Sequence, residues 1–157
     1  MKKIFSVLLV ISAVLCILAA CGDKSLSPAQ RLYAEFQAEM GENTEKNAED
    51  IANDLMSADW IPFQSAVMPV EPGYLNGFTE EITGFEDGAM FGPSIGAIPF
   101  VGYIFIPDAG TDAGEFAARL RECSDLRWNV CTQADEMACG EKNGAVFFVM
   151  SPAEFEE

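Results

Sequence analysis

The chain has 157 residues and is strongly acidic, with 25 Asp and Glu against 9 Lys and Arg, and it contains no histidine. A length of this order supports one domain around one core. The acidic balance excludes a nucleic-acid partner, because phosphate binding needs a basic face. The missing histidine excludes Ser-His-Asp and Cys-His catalysis, together with the commonest ligand of zinc, copper and iron.

Lys2 and Lys3 open the chain, and Ile4–Leu18 then runs without a charge, with only Ser6 and Ser12 polar. A short positive start before an apolar run of this length is the pattern of a secretory signal, and the run is short for a spanning helix. It ends in Leu18-Ala19-Ala20-Cys21, which resembles the lipobox of bacterial lipoproteins. The resemblance implies that residues 1–20 are a signal peptide and that Cys21 is the first mature residue. It also implies that the Cys21 sulfur, as the nucleophile, is alkylated to a thioether with diacylglycerol. Two acyl chains make a stable anchor, since each buried CH₂ contributes roughly 0.8 kcal/mol. The expected location is the outer face of the cytoplasmic membrane. Residues 21–27 read as a tether and 28–157 as a single domain.

All 25 acids lie beyond residue 20, with 7 of the basic residues, so the mature chain carries a net charge of −18 by difference. Such a chain is repelled by anionic headgroups, which leaves lipid rather than charge to hold it at the membrane. Three cysteines remain once Cys16 leaves with the signal and Cys21 takes lipid: Cys123, Cys131 and Cys139. They allow at most one internal disulfide, or stand as buried thiols. No C-x-x-C is present, so exchange of the thioredoxin kind is not expected.

Along the mature chain, Ser27 caps a helix that has Pro28 in its first position. Ala29, Leu32, Tyr33, Phe36 and Met40 recur at helical spacing and Gly41 stops it. Thr44 opens a second helix with Ala48, Ile51, Ala52 and Leu55 on one face. Prolines and glycines punctuate Trp60–Phe91, where short strands are expected near Ser65–Met68 and Thr83–Phe91. Ile98–Ile106 is uncharged and mostly β-branched or aromatic, the composition of a buried central strand. Asp112 and Glu115 form a capping box for a third helix, with Ala113, Phe116, Ala117 and Leu120 inward and Glu115 paired to Arg119 outside. Arg127–Cys131 reads as a short strand. Ala134–Gly140 and Ala145–Met150 read as a hairpin about Asn143-Gly144, with Cys139 facing Phe148 and Met137 facing Met150. Ser151–Glu157 is expected to fray. The sum is a two-layer α+β domain: a mostly antiparallel sheet with helices packed on one face.

Several motifs invite chemistry. Gly92-Pro93-Ser94-Ile95-Gly96 matches G-x-S-x-G, but a nucleophile elbow needs a preceding strand, a following helix and a histidine. A turn into the next strand is the simpler role. Asp108, Asp112 and Glu115 suggest a calcium loop, yet their spacing is not that of an EF-hand, and capping accounts for the last two. Glu80, Glu81, Glu86 and Asp87 are the carboxylates available for acid–base work, but adjacent strand residues point to opposite faces. Arg127 beside Trp128 is a possible binding edge. No cofactor and no metal are expected.

Three stretches, GPSIGAIPFVGYIF (Gly92–Phe105), LRWNVCTQADE (Leu126–Glu136) and NGAVFFVMSP (Asn143–Pro152), resemble a family of small lipoproteins from gut-type Firmicutes that carry a domain of unknown function after a lipobox. The likeness covers the C-terminal part of the chain firmly and the helical part loosely. It implies an exported, compact α+β domain and carries over no catalytic residue. The expectation from sequence is therefore a membrane-anchored, extracytoplasmic lipoprotein whose domain is a non-enzymatic binding or accessory module. Its partner would be another envelope protein or a cationic ligand. The alternatives are a carboxylate-dependent hydrolase of cell-envelope or glycan material and, further off, a thiol-based redox role.

Overall fold

A computed structural model describes residues 26–42, 46–95, 98–129 and 131–155. The signal peptide, Cys21, Thr44 and Gly96 lie outside the described residues.

Helix α1 (Pro28–Glu42) begins as the Ser27-Pro28 pair dictates, with Ser27 Oγ accepting from the Gln30 N–H at 3.3 Å. Helix α2 (Ala48–Met56) is capped by Asn47, whose side chain accepts from the Asp50 N–H at 2.8 Å. The strands follow as β1 (Ser65–Pro69), β2 (Gly73–Tyr74), β3 (Glu81–Ile82), β4 (Phe85–Pro93) and β5 (Val101–Pro107). Helix α3 (Ala113–Cys123) and strands β6 (Glu136–Lys142) and β7 (Ala145–Ser151) complete the described elements. Strands β1-β4-β5-β7-β6 form one sheet, antiparallel throughout, and β2 and β3 pair in a small second sheet.

The α+β class and the antiparallel sheet are those expected. So is the β6–β7 hairpin: Cys139 faces Phe148, Met137 faces Met150, and Asn143 and Gly144 both take the positive φ that a two-residue turn of this twist requires. The layering differs. Every residue of β7 is buried, and its side chains alternate between two cores. Phe147 and Val149 join Ile104 and Phe91 beneath Leu32 and Phe36 of α1 and Ile51 and Leu55 of α2. Val146, Phe148 and Met150 join Tyr103 and Phe105 against Phe116 and Leu120 of α3. Helix α3 therefore covers the opposite face. Strands apolar on both sides need cover on both sides.

Three local expectations are also corrected. Glu115 does not pair with Arg119. The Arg119 guanidinium instead donates to the Glu81 and Thr83 carbonyls on the neighbouring turn. Charge-assisted hydrogen bonds are worth about 1.5–3 kcal/mol, against a few tenths for an exposed i,i+4 pair, so the carbonyls win. Arg127–Cys131 forms no strand among the described residues. Asp125 Oδ1 accepts from the Arg127 N–H and Asn129 Oδ1 from the Cys131 N–H, turns that remove those donors from any ladder. The tail does not fray over its described part: Phe155 stacks on Trp60 and meets Phe63 and Phe100 edgewise or tilted.

A bulge between Phe85 and Asp87 breaks the β4–β5 register. It aims the Asp87 carboxylate at the first turn of α2, where Oδ2 accepts the Ala48 N–H at 2.7 Å. An acid at a helix N-terminus satisfies an orphan donor and meets the positive end of the dipole. Sheet and helix are thereby locked together.

Gly102 lies under the Phe91 ring, where an added Cβ would overlap the ring carbons. Gly102→Ala is expected to lower the unfolding free energy by about 1–3 kcal/mol through overpacking. Denaturation followed by intrinsic fluorescence measures it, and an unchanged midpoint would show that the ring moves aside freely.

Candidate functional site

The register places the start of β1, the end of β4, the starts of β5 and β6 and the end of β7 at one end of the sheet. The chain enters α1 at this same end, because Leu26, Ser27 and Pro28 line a groove there with Trp60, Glu136 and Phe155. This groove has a volume of about 630 Å³, and a second of about 620 Å³ lies on the other side of Glu154 and Phe155, against Pro62, Ile98 and Thr132. Both fall in the range of small-ligand sites.

The floor is aromatic for a local reason. Trp60 and Phe63 follow the end of α2, and Phe155 follows the end of β7, so two separate segments converge near Phe100. Trp60–Phe155 ring centroids are 6.2 Å apart, Phe63–Phe155 5.4 Å and Phe63–Phe100 5.3 Å. Each such pair contributes about 0.5–1.5 kcal/mol beyond area burial. The Arg31 guanidinium carbon lies 4.3 Å from the Trp60 ring centroid. Glu35 Oε1 accepts from the indole N–H at 2.8 Å and lies 3.5 Å from Arg31 Nε. One carboxylate thus positions both the ring and the cation above it. At the rim stand Glu136 and Glu154, neither of them in an ion pair among the described residues. The Thr132 hydroxyl, in the second groove, is buried without a hydrogen-bond partner.

The residues singled out from sequence fall elsewhere. Cys21 lies outside the described residues. Cys123, Cys131 and Cys139 are free thiols: Cys123 is buried, Cys139 half-buried and Cys131 exposed. The Cys139 thiol donates to the Ala117 carbonyl at 3.4 Å, and burial pushes it up to about 12. Burial also raises the Cys123 thiol, helped by Glu80. Arg127 is exposed, its Nε donating to Gln133 Oε1 at 3.1 Å, while Trp128 packs against the α3-side core. A different pair, Arg31 on Trp60, makes the cation–π contact. Glu80, Glu81 and Glu86 are exposed, and Asp87 is engaged by Ala48, so these acids do not form a dyad facing either groove. Ser94 bonds through its N–H and hydroxyl to the Gln64 carbonyl, a turn contact. Asp112 Oδ1 accepts the Glu115 N–H at 2.9 Å and so acts as a cap. Among the described residues no three acids or cysteines converge to hold a metal ion.

Comparison with known protein families, curated proteins and solved structures finds no match for the chain. The groove was missed in the sequence because residues 31, 60 and 155 carry no shared spacing. The signals present were the Arg31–Glu35 interval on α1 and an aromatic residue in an otherwise polar tail.

Two outcomes follow for the thiols. At pH 8 a maleimide is expected to label Cys131 in the folded protein and to reach Cys123 and Cys139 only after unfolding, read by peptide mass spectrometry. Because the unfolded Cys139 thiol ionises near 9.0 and the folded one near 12, the unfolded chain releases its proton first. Stability is therefore expected to fall as pH rises through that interval, and Cys139→Ala to flatten the slope; denaturation midpoints on either side of pH 9 measure both.

Proposed function

We propose that this chain is an exported lipoprotein, held by lipid on Cys21 to the outer face of the cytoplasmic membrane, and that its domain is a non-enzymatic binding module whose site is the Trp60–Phe155 groove. The observation that carries the reading is the short interval in sequence between the lipobox-like motif and the groove. Leu18-Ala19-Ala20-Cys21 stands five residues before Leu26, and Leu26 lines the groove. A chain of that length spans at most about 18 Å, so the groove would open close to the membrane surface. Leu26 itself is 58% exposed, an apolar side chain on the approach to the anchor. The resemblance of the three C-terminal stretches to small lipoproteins supports the same location.

A carboxylate-dependent hydrolase has less behind it. Glycoside hydrolysis needs two carboxyl groups roughly 5–9.5 Å apart across a cleft. Glu80, Glu81 and Glu86 instead face solvent and Asp87 caps α2. A redox role for the thiols is opposed by the burial that keeps Cys123 and Cys139 protonated.

Metabolic labelling with an alkyne palmitate in a bacterial host tests the anchor. The wild-type protein is expected to take the label and to partition into the detergent phase on phase separation. Cys21→Ala is expected to lose the label and to keep residues 1–20. An unlabelled wild-type protein recovered in the aqueous phase would sink the proposal.

A further inference from the structure

We propose that the groove takes the cationic side chain of an extended Lys- or Arg-bearing segment of a partner protein, in the place that Arg31 now holds over Trp60. The inference rests on reading the domain as a binding module and names the chemistry of its ligand.

The indole face of Trp60 already receives a guanidinium, 4.3 Å from its centroid. That guanidinium is weakly held. Its other tie is the 3.5 Å contact with Glu35, between side chains 48% and 36% exposed. An exposed cation–π contact is worth about 0.5–1 kcal/mol and an exposed i,i+4 pair about 0.3–0.5. An incoming cation could displace Arg31 at little cost, and would gain Glu136 and Glu154 at the rim, which pair with no cation among the described residues. The two grooves flanking Glu154 and Phe155 give room for the neighbouring side chains of an extended segment.

The source of the cation follows from what this chain lacks. Lys46 is tied to Glu39 and Asp54, Arg119 to the Glu81 and Thr83 carbonyls, Arg121 to the Cys139 carbonyl and Arg127 to Gln133. Among the described residues Lys142 has no such tie, but a second mature copy would bring a net charge of −18 of its own, which repels it from this acidic surface. Anionic headgroups are repelled for the same reason. A basic segment of a different protein is attracted by the whole acidic surface and then seated by the ring.

The test uses the full-length expressed protein, purified in a non-ionic detergent from whichever cell fraction holds it. It is titrated into a fluorescein-labelled lysine-rich peptide, and into glutamate-rich and neutral peptides of equal length, with binding read by anisotropy. Only the lysine-rich peptide is expected to bind. Glu136→Gln and Glu154→Gln should each weaken it about two- to five-fold, the effect of one partly exposed charge. Arg31→Gln should tighten it by a similar factor, because the internal competitor is gone. Glu122→Gln and Arg121→Gln make the same charge changes on α3, across the sheet, and should leave affinity unchanged. No binding, equal effects from the α3 variants, or weaker binding by Arg31→Gln would each overturn the proposal. Self-association abolished by Arg31→Gln would overturn it in favour of a second copy. None of these readouts depends on lipid at Cys21, so the anchor can fail without the groove failing, and the reverse.

Discussion

Strands β5 and β7 lie side by side at the centre of the sheet and are apolar on both faces, and the rest of the molecule is arranged around that burden. Tyr103, Phe105, Phe148 and Met150 point one way, and Ile104, Phe147 and Val149 the other. A half-buried sheet would leave one of these sets in water. At roughly 25 cal/mol per Å² of apolar surface, exposing several aromatic side chains would cost more than a domain's whole margin of stability. Helices α1 and α2 are therefore required on one side and α3 with the β2–β3 segment on the other. The close approach of Tyr33 on α1 to Gly140 of β6 shows how tightly that helical layer is pressed onto the strands.

The same arrangement creates the groove. A sheet covered on both faces is open at its ends, and at one of them the start of α1 and the segments flanking the strands meet without filling the space. At one end the chain enters through Ser27 and Pro28 and the residues after β7 return over the opening, with Phe155 as their anchor. The groove is a consequence of packing, and its chemistry comes from which side chains happen to rim it: an indole, a tethered guanidinium and acids.

The charges are distributed unevenly between contact and surface. Among the described residues Arg31, Lys46, Arg119, Arg121 and Arg127 make intramolecular contacts, and Lys46 is held above its usual range by Asp54 and Glu39 as it joins α2 to α1. The acids are left at the surface, where they cost little and repel like-charged neighbours. The buried thiols belong to the α3-side core and contribute as small apolar groups.

Most of the fold was legible in the sequence because its signals are local. Ser27-Pro28 and Asp112–Glu115 cap helices through contacts within one turn, Asn143-Gly144 sets a hairpin and its register, and uninterrupted apolar runs mark the central strands. The lipobox pattern is local in the same way, and it is the basis for reading the chain as exported. What the sequence did not disclose is long-range. That α3 crosses to the other face, that Asp87 caps a helix 39 residues before it, and that Arg31, Trp60 and Phe155 share one groove are matters of which surfaces meet. Periodicity tells a side chain which way it faces along its own element. Only the packed tertiary structure decides what stands opposite.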